Sequence, residues 1–256
     1  NMNGMFENFG TASMKSFSLG RNFKTTNVEN MGNMFLACGR NSMISLDLGD
    51  NFDTSNVTNM SRMFQYCGAE SMVSLDLGLN FDTSNVTNMN EMFSFCGYEK
   101  MISLDLGDKF NTSQVTEMNQ MFWDCGYQAM TSLNLGNEFN TSNVESMVEM
   151  FKECGFQSLT SLNLGNKFDT SNVTRMIGMF KACGHMSLKS LDLGNKFDTS
   201  NVRSGGMDEF FYECGGMSLE ALDLGPLFQI RSDSNTWFEH IGRREWDGHG
   251  VATVIY

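Results

Sequence analysis

The side chains of this chain that are able to do chemistry recur along it instead of converging. Seven cysteines, Cys38, Cys67, Cys96, Cys125, Cys154, Cys183 and Cys214, each stand directly before a glycine, the first six at a constant step of 29 residues and the last arriving two residues late. A thiol can serve as nucleophile, disulfide half or metal ligand. Ligands for one metal must meet at a point, which residues strung along a repeat axis do not do. Adjacent repeats would hold their Cα atoms within disulfide reach, yet all the side chains point the same way and seven is odd. A ladder of buried thiols packing as small hydrophobes is the plainer expectation. No metal and no cofactor is expected.

Carboxylates recur in the same manner. Asp47, Asp76, Asp105, Asn134, Asn163, Asp192 and Asp223 form one column, and Asp53, Asp82, Asn111, Asn140, Asp169 and Asp198 form a second. Two readings stand. The columns form a solvated acidic face whose side chains cap turns, or they bind cations weakly or dock a basic partner. An asparagine column, Asn27, Asn56, Asn85, Asn143, Asn172 and Asn201 with Gln114, reads as an internal hydrogen-bonding ladder, although Asn56, Asn85 and Asn172 also open glycosylation sequons.

Catalytic signatures were sought and none is present: no G-x-S-x-G elbow, P-loop, H-E-x-x-H or dinucleotide fingerprint. The recurring Ser and Asp are copied in every repeat, whereas an active site is singular. The chain is therefore expected not to be an enzyme.

Residues that vary from copy to copy carry more information. Tyr98, Tyr127 and Phe156 follow Cys-Gly in three successive repeats, Tyr66 and Phe95 precede Cys in two, and Trp123 lies two before it in the next. These six either cover the edge of the central coils or form the exposed aromatic cluster that a binding hot spot requires. They are the first binding candidates, with Asp47, Asp76 and Asp105 as the second set.

The elements that must position these residues follow from the period. Fixed self-similarity at 29 residues marks a solenoid. Ser45-Leu46-Asp47-Leu48 alternates polar and apolar, which suits a short strand. Val57, Met60, Met63, Phe64 and Cys67 lie on one face of a helical period, with Thr58 or Asn59 as cap and Gly68 as stop. The expected architecture is an α/β repeat: a leucine-rich-repeat-like, right-handed solenoid in which each coil pairs a short parallel strand with a short helix. About eight coils, the first cut short, would fill residues 1–225. Residues 226–256 break the period, carry Trp237, Trp246, His240 and His249, and read as a C-terminal cap with a closing strand in 251–256.

Composition agrees with a repeating interior and narrows the partners. Twenty-two Met and 22 Phe against one Pro fill one core with the same few side chains. Thirty acidic against 17 basic residues leave a formal charge of −13, which disfavours nucleic acid and anionic membrane surfaces. No run of 18 apolar residues offers a membrane span.

Phe-Asp-Thr-Ser-Asn-Val-Thr-Asn-Met, complete at 52–60 and 81–89, together with Met-Phe-x-x-Cys and Ser-Leu-Asp-Leu, resembles the BspA-like leucine-rich-repeat surface proteins over about residues 2–228. The resemblance implies a secreted or cell-surface protein that binds host, matrix or neighbouring-cell partners and has no enzyme activity. The expected function is a non-enzymatic binding or adhesion module that presents a rigid acidic repeat surface to a protein or glycan. The alternative is a structural repeat segment that builds a filament, coat or larger assembly through its ends.

Overall fold

The computed structural model describes residues 1–256 except 50, 79, 231–236, 242–252 and 256. Among the described residues nine short strands follow one another: β1 Ser16–Ser18, β2 Ser45–Asp47, β3 Ser74–Leu75, β4 Ser103–Asp105, β5 Ser132–Asn134, β6 Ser161–Asn163, β7 Ser190–Asp192, β8 Ala221–Asp223 and β9 Thr253–Ile255. All pairings are parallel, in the ladders β1-β2, β3-β4-β5 and β6-β7-β8-β9. The register follows the repeat: Ser103 pairs with Ser132, Leu104 with Leu133 and Asp105 with Asn134. From β7 to β8 the step lengthens, Leu191 meeting Leu222, because the chain around Gly205-Gly206 carries extra residues. In the three-residue strands β2, β4, β5, β6 and β7, the central leucine is buried and its two neighbours are exposed.

The expected helix is absent: no helix occurs among the described residues. The fold is a β-solenoid, and the strand-plus-helix, leucine-rich-repeat-like coil is corrected accordingly. The run from Met60 to Cys67 is a chain of tight turns whose amides alternate between two destinations. Met63, Gln65 and Cys67 donate back three residues, to the carbonyls of Met60, Arg62 and Phe64 at 3.2, 3.2 and 3.0 Å. Met60, Arg62, Phe64 and Tyr66 donate to the next coil, to Asn88, Asn90, Met92 and Ser94 at 2.9–3.1 Å. Arg62 and Tyr66 take left-handed backbone angles, φ 58 and 56°, which no α-helix tolerates.

The apolar spacing that suggested a helix is satisfied equally by this turn run. What decides between them is the partner of each second amide. An isolated helix of two turns is marginal, and Asn, Ser and Thr form helices poorly. A neighbouring coil in identical conformation supplies an acceptor every second residue. The expected caps also serve the solenoid: Thr58 donates through both its amide and its hydroxyl to Glu29 O one coil back. Asn59 Oδ1 accepts the Ser61 amide at 3.0 Å.

The core consists of stacked columns. Phe35, Phe64, Phe93, Phe122, Phe151 and Phe180 lie face to face, with centroids 5.4–5.7 Å apart. Phe52, Phe81, Phe110, Phe139, Phe168 and Phe197 make a second stack at 6.2–6.3 Å. All seven cysteines are free and buried. Burial pushes the Cys38, Cys96 and Cys183 thiols up to about 12 and raises the other four well above the usual thiol range. They pack as neutral hydrophobes.

The asparagine column does form a ladder, Asn56 Nδ2 donating to Thr26 O and Asn85 Nδ2 to Ser55 O at 2.7 Å. It lies at the surface, however, not inside. The interior ladder is built by Thr25, Thr54, Thr83, Thr112, Thr141 and Thr170, all buried. Each hydroxyl donates to the carbonyl of the residue 28 positions later at 2.7–2.8 Å. Beyond β8, Phe211 and Glu213 donate to Trp237 O and Glu239 O at 2.8 and 3.0 Å, and buried Trp237 closes over the last coil. Trp246 and His249 fall outside the described residues.

Candidate functional site

The turn run places the six aromatic candidates, because the residue before each cysteine and the residue after each glycine return at the same place in every coil. Tyr98, Tyr127 and Phe156 stack face to face with centroids 4.8 and 4.7 Å apart and planes within 12°. Tyr66 stacks on Phe95 at 4.5 Å, and Trp123 meets Phe95 edge-on at 5.0 Å. Phe95 also lies 6.0 Å from Tyr98, so both columns join in one stripe. All six are half-buried. Parallel stacking occupies ring faces and leaves the ring edges for other contacts.

The stripe extends further than its sequence signature. His185 stacks on Phe156 at 4.7 Å, the Arg40 guanidinium lies 4.7 Å over Tyr66, and the Lys152 ammonium lies 4.7 Å over Trp123. His185 occupies the same column as Tyr98, Tyr127 and Phe156, so counting imidazole among the aromatics would have found it. The Lys152 contact has no signal in a single repeat.

Asp124 was also missed. It stands in the column of Tyr66 and Phe95 and is only 5% exposed, and the Nε1 of Trp123, next to it in the chain, is buried with no hydrogen-bond partner. Burial first, and then the carboxylate of Glu153, raise its pKa to about 7 against the pull of Lys152. Burial and the same acidic neighbourhood push the Tyr98 phenol up to about 12.

The sign of the pH effect follows. An unfolded aspartate titrates near 3.9, so the folded state holds the extra proton between that value and about 7. Stability therefore falls as pH rises through this window, and the cost is complete above it. Asp124→Asn should remove the slope and stabilise the chain at pH 8 by about 2 kcal/mol, after allowance for solvent screening. Urea melts of both proteins at pH 5 and pH 8 check this. Equal stability of variant and parent at pH 8 would show that the carboxylate is not under strain.

The aspartates sit elsewhere on the coil, on the exposed side of the strands. Asp47, Asp76 and Asp105 each accept the amide of the glycine two residues on, Gly49, Gly78 and Gly107, at 2.8–2.9 Å. Asn134 and Asn163 make the same turn through Gly136 and Gly165. The second acidic column does likewise, Asp53 Oδ1 accepting the Ser55 amide at 2.9 Å. Those bonds to Ser55 hold the Asp53 carboxyl below its usual value. Turn capping thus engages one oxygen of each group, and the second oxygen of Asp47 accepts the Ser18 hydroxyl at 2.8 Å. Among the described residues, no group of three or more His, Cys, Asp or Glu side chains is placed to hold a metal.

A stack of near-identical parallel coils with one aromatic stripe and one acidic strand face defines a β-solenoid repeat protein. The chain matches the family described as Mycoplasma protein of unknown function, DUF285, over residues 1–131, 41–156 and 126–223, and it belongs to that family. No curated protein matches it, and neither does any solved structure.

Proposed function

We propose that this solenoid is a non-enzymatic binding module, displayed outside the cell or on its surface, that offers a rigid acidic face to a partner. The observation that carries the proposal is the aromatic stripe. It runs from Tyr66 to His185, breaking the strict columns of an otherwise periodic molecule, and it holds a buried indole N–H and a buried carboxylate with a raised pKa. A purely structural edge would repeat as the core does. The sequence signature shared with BspA-like surface proteins supports the location. Because the ring faces are taken up by stacking, a protein partner that contacts ring edges and hydroxyls suits the stripe better than a sugar laid on a ring face.

The test is a double variant, Trp123→Ala with Tyr127→Ala. Partners captured by the immobilised parent chain should be retained at least about tenfold more weakly by the variant. Far-ultraviolet circular dichroism should be unchanged, because the core columns are untouched. Undiminished capture would remove the stripe from the function. Light scattering addresses the binding role as a whole: a clean monomer agrees with it, and polymers that grow with concentration would replace it with an assembly role.

A further inference from the structure

On the strand face, just ahead of each exposed serine, stands a column that the repeat leaves free to vary: Lys15, Ile44, Val73, Ile102, Thr131, Thr160 and Lys189. Three successive members are apolar and yet open to solvent, Ile44 at 49%, Val73 at 40% and Ile102 at 51% exposure. Val73 and Ile102 are bonded neighbours, the Ile102 amide donating to Val73 O at 3.0 Å, and the coil of Ile44 lies next to that of Val73, Ser71 Oγ donating to Asn41 O at 3.0 Å. The same three coils carry Asp47, Asp76 and Asp105. In the next two coils both columns change together, Thr131 and Thr160 accompanying Asn134 and Asn163. Three coils therefore present an apolar row beside an acidic row, and the next two coils present neither. No ion pair among the described residues engages the three aspartates.

We propose that this three-coil patch docks an amphipathic helix whose apolar stripe is flanked by Lys or Arg. The inference rests on the binding role proposed above and names the partner for the strand face. Charge complementarity sets the sign, because the row is acidic and the chain carries −13. Spacing sets the shape. Parallel coils repeat about every 4.8 Å, and a helix returns a side chain to the same face about every 5.4 Å. An extended segment does so only about every 6.7 Å. Over two steps the helix drifts by about 1 Å from the row and the extended chain by about 4 Å.

The probe is a synthetic peptide of about 15 residues, long enough to form a helix, built from Leu, Lys and Ala with leucines every third or fourth position. Fluorescence anisotropy against the whole chain reads its binding. The parent should bind, and the triple variant Ile44→Thr, Val73→Thr, Ile102→Thr should bind about tenfold or more weakly. The triple variant Asp47→Asn, Asp76→Asn, Asp105→Asn should lose affinity severalfold and flatten the dependence on salt. Both sets copy residues that the coils of Thr131 and Thr160 already carry on the same backbone, so folding is preserved.

A peptide of the same composition interrupted by two central prolines, unable to form the helix, should bind at least about tenfold more weakly. Equal binding of the proline peptide would assign the face to an extended partner and overturn the inference, as would a threonine variant that binds like the parent. Trp123→Ala, Tyr127→Ala should bind the peptide normally; loss there would move the peptide to the aromatic stripe and also overturn it. The two proposals fail separately. A monomer that ignores the peptide sinks only this one, whereas concentration-dependent polymers sink the binding role itself.

Discussion

Gly68→Ala should cost about 2–5 kcal/mol, read as a lowered urea midpoint. Two penalties add at this position. The backbone is left-handed, φ +52°, which a Cβ disfavours by about 1–2 kcal/mol. A Cβ would also stand 2.5 Å from Met72 Cβ and 3.3 Å from Met43 O, so the coil would have to shift against its neighbour. Overpacking of that kind typically adds about 1–3 kcal/mol. Gly78→Ala separates the terms: its φ is +75°, but among the described residues nothing lies within 4 Å of the added atom. It should lose only the backbone share, about 1–2 kcal/mol. Equal losses at both sites would show that the Cys-Gly corner is not sterically closed. The corner matters to function because the glycine sits between the two positions that carry the aromatic stripe.

Thr112→Val should be as damaging, about 2–6 kcal/mol, although it is close to isosteric. The Thr112 hydroxyl is fully buried, donates to Asn140 O at 2.7 Å and accepts the Asn140 amide at 2.7 Å. Valine would strand both backbone groups of Asn140, at about 1–3 kcal/mol each. Thr112→Ser keeps both bonds and removes one methyl, so its loss should stay near 1 kcal/mol. Urea melts of the three proteins decide the matter. A valine variant as stable as the serine one would mean that water or another group replaces the hydroxyl. Since every coil repeats the ladder, a single break tests how far disruption spreads through a nearest-neighbour stack.

The candidate surfaces were legible to different degrees. The aromatic residues were visible because they interrupt strict columns, and the fold gathers all six. Their availability was not visible, since only the structure shows that the faces of Tyr98 and Tyr127 are covered and that buried Asp124 is close enough to act on both phenols. Asp47, Asp76 and Asp105 were identified as exposed, and their turn-capping role was among the readings. Ile44, Val73 and Ile102 passed unremarked, because a lone surface aliphatic is ordinary. Only alignment on adjacent coils turns three of them into a row.

The 29-residue spacing alone determined the stacking register, the inward leucines, the thiol ladder and the outward aspartates. Each of these follows from side-chain type and periodic position, whatever path the backbone takes between them. The backbone path itself was decided by the assembled stack. Met60 to Cys67 has apolar residues where a helix would need them, yet four of its eight amides find acceptors on the next coil, three find them three residues back and that of Ser61 bonds to Asn59 Oδ1. The acceptors on the next coil do not exist until an identical coil lies alongside. A local pattern cannot weigh a hydrogen bond whose partner is 28 residues away, and for that reason the turn run, the left-handed residues within it and the buried threonine ladder became apparent only in three dimensions.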